Sequence, residues 1–460
     1  MRKVPKYRTA AFAMASILLL LLVVACVPQA ASTPVPTKAP ATSTAAVAPT
    51  VQATAPASGS TATASKPTGK AIRICYLAPI SGPVASLGWP QTVAVKMAQD
   101  DINNSGGING SPVEVITKDS PFNAQQVVTL FRECADKEQA VQVLGAYSSG
   151  EFDQEAPLST DLKIPVIGAS TTKVGAAKGF PYAFRMSIPD DISHDAAVKA
   201  FRKANPNIKK VVIIGDVKEP VVEPVTKIWF PKFLKENGFD VIGTVEFTRG
   251  MTDFSAVVTK AKELNPEGIA LDALPQEWAI LATELKRQGV NVPVVTGVHP
   301  WPGNTVYAVR DAVEGWITAA FFNDDLPGAD QQAWVKRFKA TGEADSRIPK
   351  PLYAATEPQM YDAFMVSAKI MREAKVTGDT PIQQVRDAIR NGLEEMKDYK
   401  GITRTYTMDK ELHDAAGTVY PVVRPAKEDE SWERYIVHKY INCFLIVLQC
   451  FSHKMNWSKQ

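Results

Sequence analysis

The sequence has little of what defines a disulfide-rich, a metal-dependent or a nucleic-acid-binding protein. Its 460 residues contain five cysteines, too few for a disulfide scaffold at this length. The five histidines are scattered, and none stands at metal-ligand spacing from another His or Cys, so we expect no metal and no cofactor. The formal net charge of +3 leaves no basic domain of the kind that binds nucleic acid. With 45% hydrophobic and 22% charged residues, the composition predicts a globular protein of two or three domains.

Motifs of catalysis are missing as well. No G-x-S-x-G nucleophile elbow occurs, and no acid–base or nucleophile–base combination is apparent. The glycine-rich run Gly106–Gly110 follows a predicted helix and precedes a strand, which is the wrong order for a phosphate-binding loop. We therefore do not expect an enzyme. Cys75 and Cys134 could meet only if the second helix packed over the first strand, and we expect both to be buried small hydrophobic residues.

Residues 1–25 predict a secretory signal peptide. A basic stretch, Arg2–Arg8, precedes the apolar stretch Ala10–Val24, whose length of about 15 residues is short for a spanning helix. The stretch ends in Val23–Cys26, which resembles a bacterial lipobox and implies cleavage before Cys26 and acylation of its thiol. The alternatives are an uncleaved membrane anchor, or ordinary signal cleavage beside an incidental cysteine.

Residues 26–70 predict a disordered tether. The segment is almost entirely Ala, Pro, Ser, Thr and Val, and it has no acidic residue. Such a composition cannot bury enough apolar surface to offset the entropy lost on ordering, and its prolines favour an extended chain. With a lipid at Cys26, the tether would hold a folded body away from the membrane. The alternative is a disordered leader without a role.

From Ala71 the chain alternates predicted strands and helices. The pattern runs from Ile72–Ala78 to Pro165–Ala169, and it repeats from Lys210–Gly215 to Val292–Thr296. Strands alternating with helices predict βαβ units and parallel sheets. Two such runs in series predict an α/β protein with two doubly wound parallel-sheet lobes.

Ligands of open parallel sheets bind beyond the carboxyl ends of the strands. This rule selects three loops from each predicted lobe, and we therefore expect a site in the cleft between the lobes. The six loops are Ser81–Gly88, Ser148–Gly150, Ala169–Thr172, Asp216–Pro220, Ala273–Gln276 and Gly297–Trp301.

Four stretches in and around these loops resemble the type I periplasmic binding proteins, in particular the leucine/isoleucine/valine-binding branch of ABC importers. The resemblance covers about residues 71–420, and the order and spacing of the four stretches make it specific. They are Ala78–Ala85 (APISGPVA), Ala98–Gly110 (AQDDINNSGGING), Val143–Ser149 (VLGAYSS) and Ile164–Thr171 (IPVIGAST).

The resemblance implies a clamshell of two lobes joined by three crossovers. We expect the crossovers near Ser187–Asp190, Thr318–Asn323 and Thr405–Asp409. The amino-terminal lobe would then comprise residues 71–187 plus 320–405, and the carboxyl-terminal lobe residues 188–319 plus 406–425.

The resemblance also implies a function. The protein would be an extracytoplasmic, lipid-anchored and monomeric substrate-binding protein of an ABC importer, which closes on a small solute and presents it to the permease. The solute would be a branched-chain amino acid or a related small carboxylate or amide. A ligand-sensing ectodomain that serves a separate signalling partner is the alternative.

Family positions imply three ligand contacts in the first lobe. Ser149 and Thr171 would bind the α-carboxylate of the ligand, and the carbonyl of Ala169 would accept from its α-ammonium. Turn and cap chemistry is the alternative explanation for the two hydroxyls. Location on the selected loops adds four weaker candidates, which are Ser81, Asp216, Leu274 and His299.

The second lobe departs from the family pattern. Members of this branch place a carboxylate after the strand that here ends near Thr296, where this chain has Val298 and His299. A buried ammonium without a counter-charge is costly, so either another acid supplies the charge or the solute is not an α-amino acid. The candidate acids are Asp216, Glu219, Asp272 and Glu277, and the candidate apolar walls are Trp89, Tyr147, Trp278 and Trp301.

Residues 426–460 are atypical of the family. Members end soon after a final strand, here predicted at Tyr420–Val423, whereas this chain continues into the apolar stretch Tyr440–Phe451. Twelve residues are too few to span a bilayer, and we assign this tail no function.

Overall fold

The computed structural model describes residues 66–299, 305, 308–322, 324, 328–348, 350, 352–415, 420–423 and 433–434. The predicted signal peptide, Cys26, nearly all of the tether, Trp301 and nearly all of the tail lie outside the described residues. The predictions for those segments therefore stay predictions. Within the described ranges, no helix combines the length and the apolarity that crossing a bilayer requires.

The described strands form two large sheets and one hairpin. In chain order the strands are β1 Ile72–Ala78, β2 Val113–Asp119, β3 Gln142–Leu144, β4 Val166–Gly168, β5 Ala183–Arg185, β6 Lys210–Asp216, β7 Asp240–Phe247, β8 Gly268–Asp272, β9 Val294–Thr296, β10 Ile317–Ala320, β11 Tyr399–Lys400, β12 Thr405–Tyr406, β13 Tyr420–Val423 and β14 Glu433–Arg434.

The described helices follow the strands and cover the sheets. In chain order they are α1 Ala85–Asn104, α2 Ala124–Asp136, α3 Ser149–Asp161, α4 Asp190–Ala204, α5 Val222–Pro224, α6 Phe230–Glu236, α7 Ser255–Glu263, α8 Pro275–Arg287, α9 Ala329–Glu343, α10 Glu357–Glu373 and α11 Ile382–Glu394. A π-helical segment, Val225–Trp229, joins α5 to α6.

The two large sheets are wound in the same way. The first has the strand order β2-β1-β3-β4-β5, and all of its pairs are parallel. The second repeats that order as β7-β6-β8-β9-β10, again parallel, and adds β13 and β14 antiparallel at its edge. The prediction of two doubly wound parallel-sheet lobes is confirmed.

Each central strand divides its lobe into two cores because successive side chains of a strand point to opposite faces. In β1, Ile74 and Tyr76 pack with α1, α10 and α11, whereas Cys75 and Leu77 pack with α2 and α3. Six of the seven residues of β1 are buried, as expected for a parallel strand that is covered by helices on both faces. With both faces occupied, the strand ends are the part of the sheet left for a ligand.

The second lobe shows the same division. Val211 and Ile213 of β6 pack with α4 and α6, and Val212 and Ile214 pack with α7 and α8. The alternation along β6 therefore produces the same layers of helix, sheet and helix as in the first lobe.

The chain passes between the lobes three times. It leaves the first lobe between β5 and α4, returns after β10 to α9, and leaves again after Ala415 to reach β13. The sequence predicts the third crossover near Thr405–Asp409, with residues 406–425 in the carboxyl-terminal lobe. That boundary differs from the structure, because Tyr406, Met408 and Ala415 are buried in the core of the first lobe.

A buried ion pair fixes the end of this returning segment. The guanidinium of Arg185, at the end of β5, donates to the carboxylate of Asp414, and both side chains are almost fully buried. The backbone of Arg185 also bonds to His413 and Ala415 on either side. Residues 406–415 therefore belong with the amino-terminal lobe.

Cys75 and Cys134 form a disulfide, contrary to our expectation of two unpaired residues. Helix α2 packs over β1, which was the condition for their meeting, and brings the two Cα atoms to 5.9 Å. Both residues are fully buried, so the bond lies in the core between the first strand and the second helix.

We expect this disulfide to stabilise the first lobe. It closes a loop with a sequence separation of 59, and constraining such a loop in the unfolded chain contributes about 2–4 kcal/mol. In urea unfolding, the double variant C75A/C134A should lose about that free energy, and the wild type in strong reductant should behave like the variant. Equal stability of the oxidised wild type and the double variant would contradict the prediction.

Candidate functional site

One cavity lies between the two lobes at the carboxyl ends of the strands. The space between the lining residues is about 490 Å³ when the part of the mouth that is open to solvent is counted. The first lobe contributes Leu87, Phe122, Tyr147, Ser148, Ser149, Ser170 and Thr172, and the second contributes Glu219, Val221, Leu274, Pro275, His299 and Phe321. Each of the six loops selected from the sequence supplies at least one of these residues.

The winding of the sheets explains this position. In each lobe the chain starts at a central strand and moves first to one side and then to the other, so that the connections diverge between β1 and β3 and between β6 and β8. A crevice opens where the connections diverge. The loops after β1 and β3 face the loops after β6 and β8 across the cavity.

Of the seven residues predicted for the site, three line this cavity. They are Ser149, Leu274 and His299. Ser81 is exposed on its loop. Asp216 is buried, and its Oδ1 accepts from the backbone N–H groups of Lys218 and Glu219 at 2.7 and 3.1 Å, so it shapes the loop after β6.

The loop after β4 presents neighbours of the predicted residues. Ala169 and Thr171 are fully buried and are not among the lining residues, whereas Ser170 and Thr172 are. A Cβ added at Gly168 would lie 2.9 Å from the Thr171 Oγ1 atom, which shows that this hydroxyl is turned toward β4. Successive residues of the loop therefore face the cavity and the protein interior in turn. Ala169 and Thr171, which the family pattern selected, face the interior.

Ser149 ties two of the loops together. It is the first residue of α3, and its Oγ accepts from the backbone N–H groups of Thr172 and Lys173, both at 3.3 Å. The preceding residue, Ser148, caps the helix, since its Oγ accepts from the N–H of Glu151 at 3.3 Å. The start of α3 therefore lies on the wall of the cavity, where the helix dipole favours negative charge.

A buried polar network positions Ser170. Its Oγ accepts from Nε2 of Gln91 at 2.6 Å, and Gln91 also donates to Thr356 at 2.7 Å. The Tyr76 hydroxyl completes the network by donating to Oε1 of Gln91 at 2.9 Å. A glutamine on the otherwise apolar face of α1 was the one sequence signal for this network.

A buried acid supports the loop after β3. Both carboxylate oxygens of Glu155 accept from the N–H of Ala146, at 3.0 and 3.2 Å. Burial raises the pKa of Glu155 to about 8, although this hydrogen bond opposes the shift. Gly145 is needed beside it, because an added Cβ would lie 2.7 Å from Oε2 of the acid.

Glu219 is the acid that lines the cavity in the described part of the chain. Its Oε2 accepts from Nη1 of Arg249 at 3.0 Å, and the guanidinium of Arg249 lies 5.8 Å from the centre of the Phe122 ring in the first lobe. Burial raises the pKa of Glu219, and the charge of Arg249 opposes that shift. The other candidate acids, Asp272 and Glu277, are engaged elsewhere.

His299 reaches across the cleft. Its Nε2 lies 3.1 Å from Oγ1 of Thr172 in the first lobe and 3.0 Å from Oδ1 of Asp190, and its Nδ1 lies 2.7 Å from Oδ2 of Asp272. Burial opposes a charge on this ring, but the carboxylates of Asp272 and Asp190 raise the pKa of His299 well above its ordinary value. The position at which the family pattern has a carboxylate is thus occupied by a basic residue.

Of the aromatic residues predicted as cavity walls, Tyr147 lines the cavity and Trp278 does not. Tyr147 lines the cavity, together with Phe122 and Phe321, which sequence reasoning did not select. Trp278 instead packs edge-on against Trp316, with ring centres 5.5 Å apart. Phe122 and Phe321 stand just beyond β2 and β10, so the strand-end rule would have found them had it been applied to every strand.

A family model described as periplasmic binding protein matches residues 71–427 of this chain. The match covers most of the chain and includes both lobes, so the protein belongs to the periplasmic binding protein family. This is a family of solute-binding proteins rather than of enzymes.

The individual relatives share about a quarter or less of their residues with this chain. The chain is 24% identical, over 69% of its length, to the leucine-, isoleucine-, valine-, threonine-, and alanine-binding protein of Pseudomonas aeruginosa, 82% of which is covered. Among solved structures it resembles the substrate binding protein LivJ from Streptococcus pneumoniae in complex with isoleucine, with a TM-score of 0.69, 21% identity and coverage of 80% of this chain and 100% of the other.

A solute binding protein from R. palustris in complex with 4-hydroxybenzoate gives a TM-score of 0.71 at 17% identity, and covers 81% of this chain and 98% of the other. At these identities the structural likeness establishes the fold. It is the fold implied by the four sequence stretches.

We expect the buried acid beneath the cavity wall to make stability depend on pH. Because Glu155 holds its proton in the folded protein up to a pH of about 8, and in the unfolded chain only to about 4.5, the free energy of unfolding should fall as the pH rises between these values. The variant E155Q should flatten that fall in urea unfolding at pH 5, 6.5 and 8.

Glu357 acts in the same direction, since burial raises its pKa to about 7, and part of the slope will remain in E155Q. The matched control is E114Q on the half-exposed side of β2, which should leave the slope unchanged. An identical pH dependence in the wild type and E155Q would show that Glu155 is ionised in the folded protein.

Proposed function

We propose that this protein is the solute-binding component of an ABC importer, which captures a small solute in the cleft cavity and delivers it to a permease. One observation carries the proposal: in a chain of the periplasmic binding protein family, strand-end loops of both lobes line one shared cavity. The relatives named as binding branched-chain amino acids support the same function.

The proposed location is the outer face of the cell membrane. An acylated Cys26 would anchor the protein, and the segment to residue 70 would separate the folded body from the lipid. The buried disulfide between Cys75 and Cys134 supports an extracytoplasmic location, because such bonds persist mainly in oxidising compartments. The protein would act there as a monomer that contacts the permease.

The first lobe is suited to a carboxylate. The start of α3 supplies a positive helix end, and the hydroxyls of Ser149, Ser170 and Thr172 lie on the same side of the cavity. Hydrogen bonds to a charged group contribute roughly 1.5–3 kcal/mol each. We propose that this wall binds the carboxylate of the solute.

The second lobe is suited to an ammonium group beside an apolar side chain. Glu219 offers a carboxylate that is partly screened from solvent, and Val221, Leu274 and Phe321 add apolar surface. A cavity with these two poles fits a small amino acid of the branched-chain type. The neighbour that holds 4-hydroxybenzoate supports a second solute class, small aromatic acids, which would leave Glu219 paired with Arg249 alone.

The carboxylate wall can be tested at two adjacent threonines. We expect T172V to weaken solute binding at least tenfold, because Thr172 lines the cavity and its Oγ1 contacts His299 across the cleft. T171V is the matched control for volume and position, and it should have a small effect because its hydroxyl faces β4. Calorimetric titration of both variants measures the difference. A tenfold loss in T171V with none in T172V would instead support the original family position.

The solute class can be tested at Glu219. A thermal-shift screen of amino acids, aromatic acids and amides on the wild type should show a rise in melting temperature with at least one branched-chain amino acid, since a bound ligand stabilises the folded state. In E219Q the affinity for that amino acid should fall at least tenfold, because an ammonium loses its charged partner.

The same screen can also contradict the proposal that the solute is an amino acid. If aromatic acids stabilise the wild type and E219Q alike, the solute carries no ammonium and the second class is correct. If none of the compounds shifts the melting temperature of a folded protein, the proposed capture of these solutes is wrong. E223Q, an exposed neighbour paired with Lys227, serves as the control for loss of one negative charge.

A further inference from the structure

Three buried side chains of the second lobe lie close together beside the cavity, and one of them, His299, also lines it. Each of His194, Asp272 and His299 offers one possible ligand atom, these three atoms lie within 4.8 Å of one another, and all three residues are buried. Separations of 3.1 Å between His194 and Asp272, and of 2.7 Å between His299 and Asp272, bring the atoms close to the spacing of donors around one small ion. We propose that His194, Asp272 and His299 bind one divalent transition-metal ion of the zinc type.

The outer atoms of each ligand are already held. Nδ1 of His194 lies 2.8 Å from the backbone oxygen of Asp190, and Nε2 of His299 lies 3.1 Å from Oγ1 of Thr172 and 3.0 Å from the carboxylate of Asp190. Oδ1 of Asp272 accepts from the N–H of Ala273 at 3.1 Å. Histidines that ligate metals usually donate their second ring N–H to a carbonyl or carboxylate in this way, which fixes the tautomer and aims the free nitrogen.

The two rings each turn one nitrogen toward the same carboxylate oxygen. Nε2 of His194 and Nδ1 of His299 both face Oδ2 of Asp272, and the ring centres lie 5.6 Å apart. One divalent ion bound among these three atoms would replace the two hydrogen bonds to Oδ2, and its charge would balance that of the Asp272 carboxylate.

The backbone leaves room for this arrangement. A Cβ added at Gly297 would lie 1.9 Å from Nε2 of His194, so only glycine allows the ring to reach its position. Imidazole and carboxylate donors suit Zn²⁺, Co²⁺ and Ni²⁺ better than Mg²⁺ or Ca²⁺. Three protein donors leave a further position for water.

The ion would fasten three separate elements. His194 lies on α4, Asp272 ends β8, and His299 stands on the loop after β9 that lines the cavity. Metal binding would therefore fix the floor of the cavity to the helix that begins at the first crossover. The proposal goes beyond solute capture, and it holds whatever the solute is.

The first test is stoichiometry. The full chain, carried on a tag without histidine, is stripped with a chelator, dialysed and titrated with Zn²⁺ and with Co²⁺ by calorimetry. We expect one equivalent of either ion to bind, Co²⁺ to give visible absorption bands, and the melting temperature to rise with metal. A chain that binds less than half an equivalent of both ions overturns the proposal.

The second test assigns the site. H194Q and H299Q should each weaken Zn²⁺ binding at least a hundredfold, and D190N should weaken it roughly 10–100-fold, since it removes an outer partner and keeps all three ligands. The control replaces the other histidines of the chain, His413, His438 and His453, with Gln. It should bind one equivalent like the wild type.

The variants also distinguish a metal bound elsewhere from a variant that does not fold. Retained binding in both H194Q and H299Q, or its loss in the control alone, would place the metal elsewhere and reject this site. If H194Q does not fold, D190N and the wild-type stoichiometry still decide the question. The solute screen repeated on stripped and metal-loaded protein shows whether solute capture stands or falls separately from metal binding.

Discussion

The architecture of this protein depends on a constraint of parallel sheets: helices cover both faces, so only the ends of the strands stay available to a ligand. β1 and β6 show the constraint most directly, since their alternating side chains are committed to cores on either side. Both lobes wind in the same order, and both therefore open a crevice at the same edge. Placing the two crevices face to face produces one cavity lined by loops from each lobe.

The two sides of that cavity have different chemistry. The first lobe offers hydroxyls and the start of a helix, whose partial charge is positive. The second lobe offers titratable groups, with Glu219 on the wall and His299 between two buried carboxylates. Thr172 and His299 meet across the boundary, as do Phe122 and Arg249. In the proposed function, the two lobes would therefore divide the selection of a solute, the first binding its negative group and the second discriminating what is attached to that group.

The sequence predicted the regular part of this structure and missed features that depend on distant side chains. Hydrophobic runs and turns located the strands, and the strand ends located six loops that reach the cavity. Orientation within a loop was harder, because Thr171 and Thr172 are chemically equal and only the backbone decides which one faces inward. The Cys75–Cys134 bond and the His194–Asp272–His299 group each join residues far apart in the chain, where spacing carries no signal. Residues 406–415 were assigned to the carboxyl-terminal lobe because the burial of Tyr406, Met408 and Ala415 in the core of the first lobe follows no recognisable sequence pattern.

The Arg185–Asp414 pair has a mechanical consequence. Arg185 stands just before the first crossover and Asp414 just before the third, and backbone hydrogen bonds to His413 and Ala415 reinforce the link. Two of the three connecting segments thus leave the first lobe from positions that this ion pair holds together. Because both residues belong to the first lobe, the pair stays intact when the second lobe moves relative to the first. The first and third connections therefore share an origin that is fixed and closed to water.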